Sequence, residues 1–241
     1  MGVVINCDMG EGFGLYRCGD DEGIMPHIHI ANVACGFHAS DPVVMRRTVR
    51  LAAEHGVAVG AHPSFPDLQG FGRREMVMGR DELSACLLYQ IGALKAFLDV
   101  AGLPLNHIKP HGALYGAATR HEHVAHAIAD AAETYGVPVL GMAGTLHETV
   151  YRERGLPFMA EYYVDLDYDA SGKLIITREH DAKDPAEAAR RAVRVMTEGK
   201  ATAIDGSDVP MRCDCVCVHS DTPGAVELAR AVNEALRPYF A

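Results

Sequence analysis

Short apolar runs alternate along the chain with longer amphipathic stretches, usually with Gly or Pro at the joints. The apolar runs predict seven strands: Val3–Cys7, His29–Ala34, Val57–Ala61, His107–Lys109, Pro138–Gly141, Phe158–Val164 and Cys213–Val218. Each is short and bounded by turn residues, as buried strands are. The stretches between them carry helix signals. Asp41-Pro42 opens one helix and Gly56 closes it. Asp81 starts a long one ending before Gly102, with Leu83, Leu87, Leu88, Ile91, Leu94 and Leu98 on a broad apolar face. An Ala-rich segment, His121–Tyr135, closes at Gly136. Asp184-Pro185, with Glu187 as the third residue after the cap, reads as a capping-box variant ending near Gly199. Thr222-Pro223 begins the last helix. Strand–helix alternation implies parallel strands covered by helices. Polar residues recur at the C-terminal ends of most strands rather than at one switch point, which favours a closed seven-stranded β/α barrel over an open sheet. Residues 165–180 break the rhythm: Asp169-Ala170-Ser171-Gly172 before Leu174-Ile175-Ile176 suggests a turn and an extra strand outside the barrel. With no repeat or linker, residues 1–241 read as a single barrel domain with that small excursion.

Composition narrows the function. The 241 residues include 32 acidic and 22 basic side chains, a formal net charge of −10, which disfavours nucleic acid as a partner. No run approaches the ~20 uninterrupted apolar residues of a membrane span. The N-terminus lacks a signal-peptide pattern, so a cytoplasmic protein without membrane association is expected. Seven cysteines, an odd number, fit reduced thiols better than a disulfide framework.

The candidate chemistry follows the strands. The first delivers Asn6, Asp8 and Glu11; the second leads to Asn32, Cys35 and His38. The third ends at His62, with Asp67, Arg73 and Arg74 in its loop. The fourth ends in Lys109-Pro110-His111-Gly112, Glu161 and Asp165 belong to the sixth, and His219, Ser220 and Asp221 end the seventh. A β/α barrel brings all of these to one rim. Asp8, His62 and His111 are of the right types for a divalent metal, or for hydrogen bonding and acid–base work in a polar cleft without one. Lys109, on a buried strand, either pairs with Asp8 or Glu161 or steadies negative charge on a substrate carbonyl; the two roles are compatible. Arg73 and Arg74 either clamp a carboxylate or face solvent. Gly10, Gly12 and Gly14 allow a tight turn, but their spacing and acidic neighbours do not suit a dinucleotide, and no phosphate loop of the G-x-x-x-x-G-K-[ST] type occurs. Cys35 beside His38 is a nucleophile candidate better read as a buried thiol. Cys213, Cys215 and Cys217 share a strand face and read as packing residues rather than ligands.

Several blocks carry a family resemblance: residues 6–14 (Asn6-Cys7-Asp8-Met9-Gly10-Glu11-Gly12-Phe13-Gly14), residues 31–42 (Ala31-Asn32 through Cys35-Gly36-Phe37-His38 to Asp41-Pro42), Gly60-Ala61-His62-Pro63, Gly70-Phe71-Gly72-Arg73-Arg74, Lys109-Pro110-His111-Gly112-Ala113-Leu114-Tyr115 and Val218-His219-Ser220-Asp221-Thr222-Pro223. In order and spacing they resemble the LamB/YcsF family. The resemblance implies a seven-stranded barrel related to the glycoside hydrolase/deacetylase superfamily. It also implies a role as the A subunit of 5-oxoprolinase, a hydrolase that opens the lactam 5-oxo-L-proline to L-glutamate with ATP, together with subunits B and C. Catalytic residues would be Asp8, His62, Lys109 and His111. Asn6, Glu11, Asn32, His38, Arg73, Arg74, Glu161, His219 and Asp221 would bind substrate. By position, the metal ligands of related deacetylase barrels correspond to Asp8, His62 and His111. ATP would be bound by this chain or, since it has no phosphate loop, by the partners. Two positions depart from the family pattern: Leu166 replaces an Arg after Asp165, and Ser220 replaces a Gly after His219. These departures leave room for another small amide or lactam. The alternatives are a metal-dependent deacetylase or amidohydrolase acting alone, and a non-catalytic substrate-binding subunit.

Overall fold

The computed structural model describes residues 2–175 and 181–240. Its strands are β1 (Val4–Met9), β2 (Ile30–Ala34), β3 (Ala58–His62), β4 (Leu105–Ile108), β5 (Val139–Gly141), β6 (Phe158–Tyr163), β7 (Asp167–Tyr168), β8 (Leu174–Ile175), β9 (Lys200–Thr202), β10 (Asp208–Pro210) and β11 (Cys215–His219). Seven of them, in the order β1-β11-β6-β5-β4-β3-β2, form a closed barrel. All its pairs are parallel, and β1 closes it by pairing with both β11 and β2. The helices are α1 (Asp21–Ile24), α2 (Pro42–His55), α3 (Arg80–Ala101), α4 (Gly112–Ala118), α5 (Glu122–Tyr135), α6 (Leu146–Glu153), α7 (Pro185–Glu198) and α8 (Ala225–Leu236).

Local chemistry sets the helix ends. The Asp41 carboxylate accepts the Val43 and Val44 N–H groups at the start of α2, and Gly56 ends that helix in the left-handed region at φ 67°. The long helix α3 ends at Gly102 as expected but starts one residue early, after Gly79 and without a side-chain cap. It is long and apolar enough to cross a membrane by length and composition, yet it buries Leu83, Leu87, Ile91, Leu94 and Leu98 in the core, with Leu88 at the edge. At α7, Asp184 caps the Ala186 N–H, but Glu187 pairs with Arg190 instead of closing a capping box. The last helix starts at Ala225, not at Thr222-Pro223, because Gly224 in the left-handed region (φ 78°) precedes it and the Thr222 hydroxyl bonds to Asp165. Helices α1, α4 and α6 and the β9–β10 hairpin lack the signals that announce the five other helices. In the expected excursion, β7 and β8 form an antiparallel hairpin; Ile176 and the residues through His180 lie outside the described residues.

Alternation along the strands divides the barrel into layers. Outward residues such as Ile5, Val33, Val59, Ala160, Val216 and Val218 join the helices in one continuous core. At the N-terminal end of the barrel, Ile30, Leu140 and Cys215 pack with Val4, Ala58 and Met159 as an apolar plug. Above the plug the interior turns polar: Asn6, Asn32, His107, Glu161 and Lys109 are all buried. Gly60 makes room there, since a Cβ on it would fall 2.2 Å from the His107 ring. The apolar floor and the helix-covered wall leave one wet end, the C-terminal mouth.

Candidate active site

Asp8, on the last turn of β1, sits at the centre of the mouth. Its Oδ1 accepts hydrogen bonds from Lys109 Nζ and Asn32 Nδ2, each at 2.8 Å. Its Oδ2 lies 3.2 Å from His62 Nε2 and 3.9 Å from His219 Nε2. Burial pushes the Asp8 carboxyl up, but His62 and Lys109 outweigh it and hold it well below the usual carboxylate range. Lys109 follows β4 rather than ending it. Its ammonium lies 3.0 Å from Glu161 Oε1 and 3.1 Å from Cys217 Sγ. Burial alone would lower its pKa; Asp8, Cys217 and Glu161 raise it well above the normal lysine value. Both partners considered for Lys109 in the sequence are therefore present at once. Beneath them, His107 donates to Asn32 Oδ1 at 2.6 Å, Asn32 donates to Asn6 Oδ1 at 2.8 Å, and Tyr163 donates to Glu161 Oε2 at 2.6 Å.

A second group of polar residues lies beside the first. The Nδ1–H of His62 donates to the Lys109 carbonyl at 2.7 Å, and the Nε2–H of His111 donates to the Phe71 carbonyl at 2.7 Å. Phe71 adopts φ 54°, a left-handed conformation that costs a phenylalanine energy and that aims its carbonyl at the imidazole. Next to it Gly72, at φ 64°, is required by space: a Cβ there would lie 2.7 Å from the His111 ring. With those protons placed, His62 Nε2 and His111 Nδ1 face each other at 2.9 Å. Glu11 Oε1 lies 3.4 Å from His111 Nδ1, 4.0 Å from His62 Nε2 and 3.0 Å from His38 Nε2. Burial and the charges of Asp8 and Asp221 push the Glu11 carboxyl well above its usual range. Burial also pushes His38 and His111 well down.

On the far side, Asp165 accepts the backbone N–H of His219 at 2.7 Å and its Nδ1–H at 3.0 Å. The His219 ring stacks on Tyr163. Burial lowers the His219 pKa, but Asp165 more than offsets it and the net shift is upward. The Arg73 guanidinium bonds Asp221 at 2.7 Å and lies over the Phe71 ring.

These groups surround a small cavity of about 40 Å³ lined by Asp8, His62, Arg73, Lys109, His111 and His219, with Tyr115, Tyr163, Leu166 and Leu174 completing the wall. The other residues expected to bind substrate do not reach the cavity. Asn6, Asn32 and Glu161 lie below it and position Asp8 and Lys109. Glu11 and His38 are paired behind the histidines, and Asp221 holds Arg73. Arg74 points outward, half exposed, against buried Asp67. Cys35 donates to the Val33 carbonyl, and burial pushes its thiol up to about 12, which leaves it inert. Of the three strand-end cysteines, Cys213 precedes β11, while Cys215 and Cys217 share its inward face at different depths, Cys215 in the plug and Cys217 against Lys109. Tyr163 and Asp165 had a readable signal, since they continue the inward alternation from Glu161. Leu174, from the excursion, had none.

The departures from the family pattern also have places. Leu166 lines the cavity wall, and Ser220 is buried against Gly19, whose missing side chain leaves room for it.

Known proteins resemble this chain over nearly its whole length. The pattern of the LamB/YcsF family matches residues 3–239. The chain belongs to the LamB/YcsF family. The A subunit of 5-oxoprolinase from Thermus thermophilus is 49% identical over 240 residues, 98% of this chain and 96% of that protein. The lactam utilization protein lamB of Emericella nidulans is 44% identical over 238 residues, 97% of this chain and 94% of that protein. The crystal structure of the lactam utilization protein from Thermus thermophilus superimposes with a TM-score of 0.92 at 48% identity, covering 99% of this chain and 97% of that one.

Proposed function

We propose that this chain is the A subunit of a cytoplasmic ATP-dependent 5-oxoprolinase, which opens 5-oxo-L-proline to L-glutamate together with subunits B and C. The observation that carries the reading is the pairing of the Lys109 ammonium with the Asp8 carboxylate, 2.8 Å apart at the base of a cavity with Arg73 on its wall. A lactam is a resonance-stabilised amide and a poor electrophile. Phosphorylation of its oxygen by ATP weakens that resonance. Water then adds to the activated carbon and the ring C–N bond breaks, giving a γ-acyl phosphate; a second water releases phosphate and leaves glutamate. In this scheme Arg73 leaves Asp221 to hold the substrate carboxylate, which also widens a cavity otherwise too tight for a five-membered ring. Lys109 steadies the negative charge developing at the carbonyl, and Asp8 takes the proton of the attacking water. His219, whose pKa Asp165 raises, gives a proton to the departing nitrogen. Glu11, His62 and His111 suit a divalent ion, which would supply Lewis-acid polarisation of the carbonyl when bound. ATP is assigned to the partner subunits, because this chain carries no phosphate-loop motif.

Co-expression with candidate B and C subunits tests the reading. Glutamate release from 5-oxoproline should need ATP and all three chains. Robust ATP-dependent cleavage by this chain alone would show that partners are not needed.

The imidazole–carboxylate cluster favours one second reading, a metal-dependent deacetylase or amidohydrolase acting alone on another small amide or lactam. It predicts amide hydrolysis without ATP. A non-catalytic binding subunit would instead keep full turnover in the complex after replacement of Asp8, His62 or His111.

A further inference from the structure

The lone pairs at the mouth do not balance. His62 and His111 each spend their only N–H on a backbone carbonyl, Lys109 and Phe71 respectively. Their remaining nitrogens are therefore both acceptors when the rings are neutral, yet they stand 2.9 Å apart in a buried site. Two lone pairs at that distance repel unless something positive lies between or beside them. Glu11 Oε1 adds a third acceptor within 4.0 Å of both. The carbonyl anchors are themselves held at a cost, since Phe71 takes a left-handed conformation to present its oxygen. A strained backbone that fixes an imidazole tautomer is the arrangement that orients metal-binding histidines.

From this geometry we infer that His62 Nε2, His111 Nδ1 and the Glu11 carboxylate form a binding site for one divalent transition-metal ion, with His38 orienting Glu11 and Asp8 outside the ligand set. Two nitrogens and one carboxylate, with a position left open, match the donors of catalytic zinc and related ions. This departs from the set Asp8, His62 and His111 expected from related barrels. The reason lies in the partners of the two carboxylates. Asp8 Oδ1 already accepts from Lys109 and Asn32, and its Oδ2, though 3.2 Å from His62 Nε2, is not grouped with the His111 nitrogen as Glu11 Oε1 is. Glu11 Oε1 faces imidazole nitrogens.

His38 belongs to the same cluster, with all four ligand atoms within 4.8 Å of one another, but its ring geometry keeps it from sharing the ion. The His38 and His111 rings are stacked, with centroids 3.7 Å apart and planes 7° from parallel. An ion on the lone pair of one ring lies near that ring's plane, and so about a stacking distance outside the plane of the other. Its Nε2–H instead donates to Glu11 Oε1 at 3.0 Å, which makes His38 a positioning residue.

The inference stands apart from the identity of the amide cleaved, and its test reads the ion directly. Full-length protein stripped with chelator is titrated with Co²⁺ and, separately, with Zn²⁺, and Cu²⁺-loaded protein is examined by pulsed EPR to count coordinated imidazoles. One ion per chain should bind, with Co²⁺ absorption in the visible, and Cu²⁺ should report two imidazoles. Glu11→Gln should weaken Co²⁺ binding at least 100-fold, whereas Asp8→Asn should stay within tenfold. His38→Gln should weaken it about 10- to 100-fold while the imidazole count stays at two. Circular dichroism and thermal melts confirm that each variant is folded; should Glu11→Gln not fold, Glu11→Asp takes its place and should weaken binding at least tenfold. Three results would overturn the assignment: no saturable uptake by folded protein, loss of binding in Asp8→Asn but not in Glu11→Gln, or three imidazoles on the ion. Failure here leaves the ATP- and partner-dependence assay unaffected, so the two readings fail separately.

Discussion

The two halves of the barrel mouth handle buried charge differently. On the Lys109 half, an ammonium supplied by the chain lies within 3.0 Å of two carboxylates, Asp8 and Glu161, with Asn32 also donating to Asp8 and Tyr163 to Glu161. On the Glu11 half, two imidazole lone pairs and a carboxylate converge on one spot, with His38 donating to that carboxylate from behind. The first half is complete as a folded unit and suits a fixed charge that meets a reacting carbonyl. The second is where we infer that a cation binds. Burial and neighbouring carboxylates push the Glu11 carboxyl up more than Arg73 and Lys109 pull it down, whereas His62 and Lys109 hold Asp8 well down.

The comparison can be broken most forcefully at Lys109. Lys109→Met leaves Asp8 and Glu161 buried without their cation, which should cost about 3–5 kcal/mol of stability by denaturant titration. Turnover in the reconstituted complex should fall at least 1000-fold. Retention of both within error would show that the ammonium does not hold the first half together.

Acid titration separates the structural histidines from those at the mouth. Burial holds His107 and His147 down to about 3. His147 donates to the Tyr115 carbonyl and accepts from the Met142 N–H, so it is bonded in its neutral form. Both groups bind protons more readily in the unfolded chain. Their contribution is thus fully present above pH ~6.5 and is lost as pH falls toward 3, by about 2 kcal/mol each at pH 5. Unfolding midpoints measured from pH 8 to 5 should fall accordingly, and His147→Gln should flatten the slope. An unchanged slope would contradict the assignment.

Asp165 gives a finer test, on the other flank of Asp8. Because Asp165 raises the His219 pKa, activity that needs protonated His219 should persist above pH 6.5 and fall as pH rises through the raised value. Asp165→Asn should move that alkaline limb to lower pH, with a 10- to 100-fold loss in kcat. A profile that does not move would remove His219 as the proton donor.

The smallest effect is expected at the rim. Arg73→Ala should raise KM for 5-oxoproline at least tenfold, whereas Arg74→Ala, whose guanidinium is half exposed against Asp67, should change it less than threefold. Equal effects would mean that the cavity wall is drawn wrongly.

Most of this arrangement was legible in the sequence because a β/α barrel converts position along the chain into position in space. A polar residue at the end of a buried strand has one place to go, so Asp8, His62, Lys109, His111 and His219 reached the same cavity. Depth was harder to read. Asn6 and Asp8 are two residues apart on one strand face, yet one supports and the other lines the cavity, and the difference depends on strand stagger. Arg73 and Arg74 are adjacent and point opposite ways because the left-handed turn at Phe71-Gly72 sets the direction of the loop. The inferred preference for Glu11 over Asp8 as a metal ligand has no signal in the sequence for a similar reason: it rests on which carboxylate Lys109 reaches.

Whether the Asp8–Lys109 pair performs the chemistry is tested most directly by Asp8→Asn in the reconstituted three-subunit complex. The complex should assemble, and glutamate release should fall at least 1000-fold with ATP present. Turnover within tenfold of the unaltered complex would contradict it.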